Sequence, residues 1–276
     1  MESLSEYCLV VTKVALHTEL SVGDRFEFTK SGLKGEEDKG DDVLIGPGEA
    51  CQIKLHPDDD TVFSKVQAAI SLAEFCSIRC KSPTVPTRIR LVPGNKYILS
   101  KDDYILFGYN IGFRVDEVLT ENLPVNNSEN VVNFRIHNLD TIIPAPQKKG
   151  KKLKITWVHA FPELKDTQQV FEDKECFTIG RTKSSDVCLL NPENPDDCEI
   201  SRIHAQISYS NTIGWYIGED PHNPSLNGTF FCIKTYSAKG KKDSFPLILQ
   251  PDWEIYCGDT AFQVISYFKT LIIFFF

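Results

Sequence analysis

The chain has 276 residues, of which 41% are hydrophobic and 25% charged, so its composition is that of a globular protein with room for two domains. The net charge of −8 is unevenly distributed: residues 1–145 carry 15 Lys and Arg against 22 Asp and Glu (−7), and residues 146–276 carry 15 against 16 (−1). An acidic first half excludes the broad basic face that nucleic-acid binding requires, and we expect no nucleic-acid partner.

Cysteine usage and the apolar segments indicate an intracellular protein. The nine cysteines are an odd, scattered set, and the first residues, MESLSEYCLVV, lack the basic start and long apolar stretch of a secretory leader. Cys76 and Cys80 would share one face of a strand, which favours core cysteines over zinc ligands. The longest apolar run, LIIFFF at 271–276, is far shorter than the roughly 20 residues that span a bilayer. We therefore expect free thiols and no membrane span.

Short runs of β-branched and aromatic residues predict strands along the whole chain, separated by Gly, Pro, Asp or Asn. In the first half these runs are YCLVVTKVALH, DDVLIG, CQIKL, AAISLAEFCSIRC, YILFG and GFRVDEV. In the second half they are LKITWVHA, CFTIGR, DVCLL, HAQISYS, GWYIGED, GTFFCI, FPLILQ, WEIYCG and AFQVISY. Many short strands at this spacing are typical of β-sandwiches, so the expected fold class is all-β.

The two halves are separated by a segment of linker composition and resemble each other. Residues 141–154, TIIPAPQKKGKKLK, contain two prolines and then five lysines in seven positions. The lysine run is read either as solvated linker charge or as a contact for an acidic partner. Three blocks recur in the same order: VLIGPGEACQIKL with FTIGRTKSSDVCLL, VFSKVQAAISL with EISRIHAQISY, and YILFGYNIGFRV with EIYCGDTAFQV. The repeat predicts two copies of one domain, at 1–145 and 146–276.

Three polar clusters of the second half lie where a strand meets a loop: GR at 180–181, SRIH at 201–204 and NGT at 227–229. Two guanidinium groups and a short hydroxyl suit a phosphate monoester, whose oxygens accept several charge-assisted hydrogen bonds at once. The carboxamide of Asn227 both donates and accepts, which suits the backbone of an extended peptide.

With these motifs the second half resembles the forkhead-associated (FHA) family, phosphothreonine-recognising β-sandwiches of about eleven strands. The family signature is Gly-Arg, then Ser-x-x-His, then Asn-Gly, then a strand around Gly-Asp. All four parts are present in order over roughly residues 150–268, ending at Gly258–Asp259. The resemblance and the repeat together imply two tandem sandwiches of this type.

The resemblance implies a role for each matching position. Arg181 and Ser201 would bind the phosphate, and Arg202 would add a second cationic contact. Asn227 would hold the peptide main chain just after the phosphothreonine. The partner would be a phosphothreonine-containing protein, and the resemblance implies no cofactor or metal.

The remaining signature residues would support the loops. His204 would buttress them by hydrogen bonding without touching the ligand, and Gly180 and Gly228 would permit tight loop geometry. His204 and Ser201 superficially resemble a base and a nucleophile, but residues three apart lie on opposite faces of a strand. The sequence has no P-loop, no Gly-x-Ser-x-Gly and no metal-ligand spacing of histidines. We expect a protein that is not an enzyme.

Selectivity in this family often lies at the third residue after the phosphothreonine. Glu199 lies two residues before the motif serine and would favour Lys or Arg at that position of the peptide. Leu226 would instead favour an aliphatic residue there. The loop at 191–200 that carries Glu199 is acidic, with Glu193, Asp196, Asp197 and Glu199.

The first half departs from the signature. Pro47 follows Gly46 where the phosphate-binding arginine belongs, and Gln67 replaces the supporting histidine in SKVQ at 64–67. The loop CKSPTVPTR at 80–88 contains neither Asn nor Gly. Losing a charge partner of this kind costs about 2–5 kcal/mol of binding free energy. We interpret residues 1–145 as a degenerate copy whose acidic surface suits a constitutive protein partner.

A structural role is the alternative function. Both sandwiches would then be interaction surfaces of a large assembly, without phosphopeptide recognition. The apolar tail at 271–276 favours this alternative, because six exposed apolar residues promote aggregation unless they are covered. The tail docking on its own domain is the other interpretation.

Overall fold

The structure is a computed structural model. It describes residues 7–15, 19–29, 32–36, 42–55, 64–72, 76–82, 85–120, 131–132, 151–159, 161, 164–172, 174–191, 194, 199–233, 244 and 246–266. The apolar tail at 271–276 and linker residues 141–150 lie outside this set, as do Glu193, Asp196 and Asp197.

The described residues form strands and no helix, which confirms the all-β fold class. In the first half of the sequence the strands are β1 (Tyr7–Lys13), β2 (Arg25–Thr29), β3 (Gly32–Leu33), β4 (Asp42–Gly46), β5 (Ile53–Lys54), β6 (Ala68–Ser71), β7 (Ser77–Cys80), β8 (Thr87–Arg90), β9 (Lys96–Ile98), β10 (Tyr104–Phe107), β11 (Ile111–Leu119) and β12 (Val131–Val132). In the second half they are β13 (Lys152–His159), β14 (Gln168–Phe171), β15 (Cys176–Gly180), β16 (Val187–Cys188), β17 (Ala205–Ser210), β18 (Gly214–Gly218), β19 (Thr229–Ile233), β20 (Leu247–Ile248), β21 (Glu254–Cys257) and β22 (Thr260–Ser266).

These strands form two compact units that do not coincide with the expected division at residue 145. Unit 1 comprises Met1–Arg88 and Ile233–Phe276, and unit 2 comprises Ile89–Cys232. Unit 1 therefore takes three strands, β20–β22, from the second half of the sequence, and unit 2 takes four, β9–β12, from the first half. The repeated blocks YILFGYNIGFRV and EIYCGDTAFQV have the same pattern, so the pattern alone does not select the sandwich in which each block pairs.

Unit 1 contains two sheets. In one, β1 lies between β2 and β22, and β21 and β3 extend the two sides, with antiparallel pairing throughout. In the other, β4 pairs with β5 in parallel and with β6 antiparallel, followed by β7 and β20. Cys76 and Cys80 are both buried in this unit, as expected of core cysteines.

Unit 2 repeats this pairing pattern with different strands. In one sheet β13 lies between β14 and β11, and β10 and β19 follow. In the other, β15 pairs with β16 in parallel and with β17 antiparallel, followed by β18, β9 and β12. The start of β13 includes three residues expected to be linker, because Leu153 is fully buried and pairs with Phe171 and Val118.

Aromatic side chains fill the core of unit 2. Trp157 and Trp215 are fully buried. Phe113 packs edge-on against Trp157 with ring centroids 5.5 Å apart, and Phe107 contacts both rings at 5.8 and 6.2 Å. Tilted and edge-on ring pairs of this kind add about 0.5–1.5 kcal/mol each beyond their buried area. This core fixes the strand ends from which the loops described below emerge.

Candidate functional site

The three polar clusters of the sequence lie together in unit 2, at the ends of β15, β17 and β19. Arg181 directly follows β15, and its backbone N–H donates to the carbonyl of Ser201 over 3.1 Å. His204 directly precedes β17, and its N–H donates to the carbonyl of Ile179 over 2.7 Å. The first two clusters are therefore held side by side by backbone hydrogen bonds.

Gly180 makes this close approach possible. A Cβ atom at Gly180 would lie 2.1 Å from the carbonyl oxygen of Arg202, a distance that no side chain tolerates. The loop after β15 also bonds that carbonyl, since Thr182 Oγ1 donates to it over 3.1 Å. The glycine of the Gly-Arg motif is thus required by backbone packing.

Several hydrogen-bond donors of the clusters have no protein acceptor among the described residues. Arg181 Nε is buried and has no hydrogen-bond partner there, and neither Arg181 nor Arg202 pairs with a described carboxylate. Ser201 Oγ accepts a hydrogen bond from the N–H of Leu226 over 3.1 Å, and the described chain holds no acceptor for its hydroxyl hydrogen. Unused cationic and hydroxyl donors at one end of a sandwich suit an anion rich in oxygen.

The third cluster is tied to the loop before Ser201. Asn227 Nδ2 donates to the carbonyl of Glu199 over 2.9 Å. Gly228 has φ of +79°, a left-handed conformation that favours glycine, and a Cβ there would lie 2.9 Å from Arg90 Nε. Leu226, which precedes Asn227, is 77% exposed.

His204 is almost completely buried and bonds two loops at once. The backbone N–H of Ser201 donates to Nδ1 over 3.2 Å, so Nδ1 is the unprotonated nitrogen. Nε2 lies 3.0 Å from the carbonyl oxygen of Gly228 and donates to it. The ring packs edge-on against Phe107, with centroids 5.5 Å apart. The neutral tautomer with a proton on Nε2 satisfies both bonds.

Burial sets the charge state of this histidine. Desolvation lowers the pKa of His204 below its usual 6.5, and the hydrogen bond to Gly228 and the charges of Glu219 and Glu199 offset part of that effect. Protonation of Nδ1 would also remove the acceptor for the Ser201 N–H. The imidazole is therefore held neutral by its surroundings.

Two carboxylates support the site and were not predicted in that role from the sequence. Glu219 is 6% exposed and accepts hydrogen bonds from the backbone N–H groups of Ser225 and Thr229, over 2.8 and 2.7 Å. These bonds flank residues 226–228 on both sides. The position of Glu219, directly after the apolar run GWYIG, is the one signal in the sequence that marks it.

Glu199 is the second carboxylate, and its partners come from the first half of the sequence. Its Oε1 accepts from the backbone N–H groups of Tyr109 and Asn110, over 2.6 and 2.8 Å. The sequence gives no signal for this contact between residues about 90 positions apart, because every residue except proline has the same backbone N–H donor.

Gly258 and Asp259, the expected last part of the signature, belong to unit 1, whereas the three clusters belong to unit 2. The carbonyl of Gly258 accepts a hydrogen bond from Arg88 Nη2 over 3.0 Å. In unit 2 the turn at 108–110 follows β10 just as Gly258–Asp259 follows β21. The expectation that one contiguous segment supplies all four parts of the signature thus differs from the structure, because the last strands of the two units are exchanged.

Unit 1 has corresponding positions with different chemistry. Pro47 follows Gly46 at the end of β4, so no guanidinium stands there. Gln67 is completely buried; its backbone N–H donates to Ile45 over 2.8 Å, and Nε2 donates to the carbonyl of Val85 over 2.6 Å.

Comparison with known proteins identifies the module that carries the clusters. Residues 177–239 match the family model of the FHA domain. The chain contains an FHA domain. The FHA domain is a non-catalytic interaction module that implies phosphoprotein partners and protein interaction through phosphopeptides. The matched segment includes all three clusters of unit 2.

Other comparisons add little to this FHA assignment. The Slr1951 protein from Synechocystis sp., known from a crystal structure, shares 20% sequence identity with the chain over 37% of this chain and 86% of that one, with a TM-score of 0.17. No curated protein matches the chain. None of the residues that the structure describes forms a helix able to cross a bilayer.

Proposed function

We propose that the FHA domain in unit 2 binds phosphothreonine peptides and thereby makes a protein interaction depend on phosphorylation. The observation that carries this proposal is the set of unused donors: the buried Nε of Arg181, the hydroxyl of Ser201 and the exposed side chain of Arg202. Arg181 and Ser201 bind the phosphate in this proposal, and Arg202 adds a second cationic contact. Fork-shaped guanidinium donors make strong, short bonds to phosphate oxygens.

Asn227 holds the peptide main chain in the same proposal. Its Nδ2 is bonded to Glu199, which fixes the orientation of the carboxamide before a peptide arrives. A side chain that is already oriented loses less conformational entropy on binding than a mobile one.

Selectivity at the third residue after the phosphothreonine rests on Leu226 or on Glu199. The 77% exposure of Leu226 supports an apolar contact with an aliphatic residue. The carboxylate of Glu199 would favour Lys or Arg by about 1 kcal/mol or less, since a solvent-screened ion pair is weak. Peptides with Leu, Lys or Glu at this position separate the two residues: loss of the Leu preference in Leu226→Ala assigns selectivity to Leu226.

The test of the proposal is calorimetry of the full chain with three matched peptides that contain phosphothreonine, phosphoserine or unmodified threonine. We expect binding of the phosphothreonine peptide, weaker binding of the phosphoserine peptide and none of the unmodified one. Equal or absent binding of all three would contradict the proposal and leave the structural role in an assembly. A constitutive protein contact through the acidic residues 1–145 stays a separate prediction, testable by capture with and without phosphatase treatment.

A further inference from the structure

The turn between β10 and β11 is hydrogen-bonded to Glu199, which contacts the Asn227 side chain, and to Gly228, which follows Asn227 in the chain. The N–H groups of Tyr109 and Asn110 donate to Oε1 of Glu199, whose own carbonyl accepts from Asn227 Nδ2. The N–H of Gly108 donates to the carbonyl of Gly228 over 2.9 Å. The turn therefore contacts the loops proposed to bind the peptide at two separate places, the Glu199 carboxylate and the Gly228 carbonyl.

The turn packs closely against the side chain of Glu199. Gly108 has φ of +59°, and a Cβ at this position would lie 2.8 Å from Cγ of Glu199. The carbonyl of Gly228 also accepts from His204 Nε2, so one oxygen joins the turn, the buried imidazole and the Asn227 loop. Displacing the turn would disturb all three.

Glu199 makes these bonds through an oxygen that does not need to be charged. Two N–H donors converge on Oε1, and the amide oxygen of a glutamine accepts in the same geometry. A residue that reads a basic peptide side chain acts instead through its net charge, which glutamine lacks. The substitution Glu199→Gln therefore separates the two roles.

We infer that Glu199 and the turn at 108–110 are a positioning element of the phosphopeptide site, so that binding by the motifs of the second half depends on backbone supplied by the first half. The inference rests on the proposed function for its binding readout. Glu199 is a positioning residue in this account, because it acts through Asn227 and the turn.

The experiment compares full-chain wild type with Glu199→Ala and Glu199→Gln. Calorimetry uses two phosphothreonine peptides, with Lys or Ala at the third following residue. Amide hydrogen exchange of residues 109–110 is measured without peptide. The matched control is Glu175→Ala, which removes a carboxylate with a 75% exposed side chain elsewhere in unit 2.

We expect Glu199→Ala to lose about tenfold in affinity for both peptides alike, the size of effect that follows loss of hydrogen bonds to a charged acceptor. Amide exchange at 109–110 should rise in the same variant. Glu199→Gln should stay within about threefold of wild type in affinity, with slow exchange, because the acceptor oxygen is retained. Glu175→Ala should match wild type in both readouts.

A second variant, Gly108→Ala, changes the turn itself and so tests the contribution of the first half of the sequence. In Gly108→Ala the new Cβ would lie 2.8 Å from Cγ of Glu199, so the carboxylate and the turn must separate, and binding of both peptides should weaken as in Glu199→Ala. Unchanged affinity in Glu199→Ala and Gly108→Ala would overturn the inference. So would a loss confined to the Lys peptide in both Glu199 variants, which would make Glu199 a reader of charge.

Failure of the proposed function gives a different pattern. If wild type binds neither peptide, the phosphopeptide proposal fails. The exchange measurement then still decides whether Glu199 holds the turn. Slow exchange at 109–110 in Glu199→Ala would overturn that part regardless of peptide binding.

Discussion

Unit 1 and unit 2 pair their strands in the same pattern but end in loops with different chemistry. Both units need a glycine as the last residue of the equivalent strand: a Cβ at Gly46 would lie 2.8 Å from the carbonyl of Lys65, and one at Gly180 would lie 2.1 Å from that of Arg202. The next residue is Pro47 in unit 1 and Arg181 in unit 2. The backbone requirement is thus kept in both units, whereas of these two positions only the one in unit 2 carries the guanidinium that we propose to bind phosphate.

Each unit has a buried polar side chain that supports its loops, Gln67 in unit 1 and His204 in unit 2. The backbone N–H groups of Gln67 and His204 both donate to a strand carbonyl, that of the residue before the motif glycine, Ile45 in unit 1 and Ile179 in unit 2. Both also donate a side-chain N–H to a loop carbonyl, at Val85 and Gly228. Loop support therefore does not require a histidine. Unit 2 differs from unit 1 in having a support that can be protonated.

The largest expected effect is loss of binding on removing the arginine that unit 1 lacks. Arg181→Ala should lower affinity for a phosphothreonine peptide at least tenfold, because charge-assisted bonds contribute about 1.5–3 kcal/mol. The free energy of unfolding should change by no more than about 0.5 kcal/mol. Calorimetry measures the first and calorimetric melting the second.

The control is Lys183→Ala, which removes an exposed cation from the same loop. It should retain affinity within about twofold, as expected of a solvated surface charge. Equal losses in the two variants would mean that general positive charge, and not the guanidinium next to Gly180, binds the phosphate.

Removing the buried support should lower stability and affinity together. His204→Ala leaves the Ser201 N–H without its acceptor and the Gly228 carbonyl with only one of its two donors, the Gly108 N–H, and should cost about 1–3 kcal/mol of unfolding free energy. His204→Gln introduces the residue type that unit 1 has at this position, Gln67, and should lose less unfolding free energy than His204→Ala. Urea unfolding of the three proteins gives the ranking, and a glutamine variant as unstable as the alanine variant would show that the units support their loops differently.

The titration of His204 sharpens the same comparison. Its pKa is lowered in the folded protein mainly by desolvation, with Glu219 and Glu199 acting in the opposite direction. The stability that the neutral ring contributes is therefore complete above pH 6.5, declines as pH falls below 6.5 and is lost below the folded-state pKa. His204→Gln should flatten this decline. Urea unfolding between pH 7.5 and about pH 5 measures the slope of each protein, and identical slopes would rule out His204 as its source.

The smallest expected effect is at unit 1. Pro47→Arg, introduced into the Arg181→Ala protein, should restore no phosphate-dependent binding, because the loop at 80–88 has no Asn-Gly pair to hold a peptide. Calorimetry with phosphorylated and unmodified peptides checks this. A restored difference between the two peptides would show that the arginine alone separates the units.

The sequence predicts the parts of this protein that local chemistry determines. Period-two runs such as the one from Phe177 to Gly180 become strands, and the three polar clusters come together because each directly follows or precedes one. The exchange of β9–β11 with β20–β22 was not predictable, since the two blocks present the same apolar pattern to either sandwich. The contact of Glu199 with Tyr109 was equally hidden, because one partner is a backbone N–H.

The pairing of β1 with β22 has a consequence for biosynthesis. Tyr7 and Ser266 are register partners, so unit 1 combines the first and the last described strands and is complete only after residue 266 has left the ribosome. Unit 2 uses the continuous segment from Ile89 to Cys232 and can close earlier. Chains fold as they emerge, at about 5–20 residues per second, and pairings distant in sequence form slowly. The unit that carries the candidate phosphopeptide site should therefore be the first to fold, while the partner strands of β1 are still being translated.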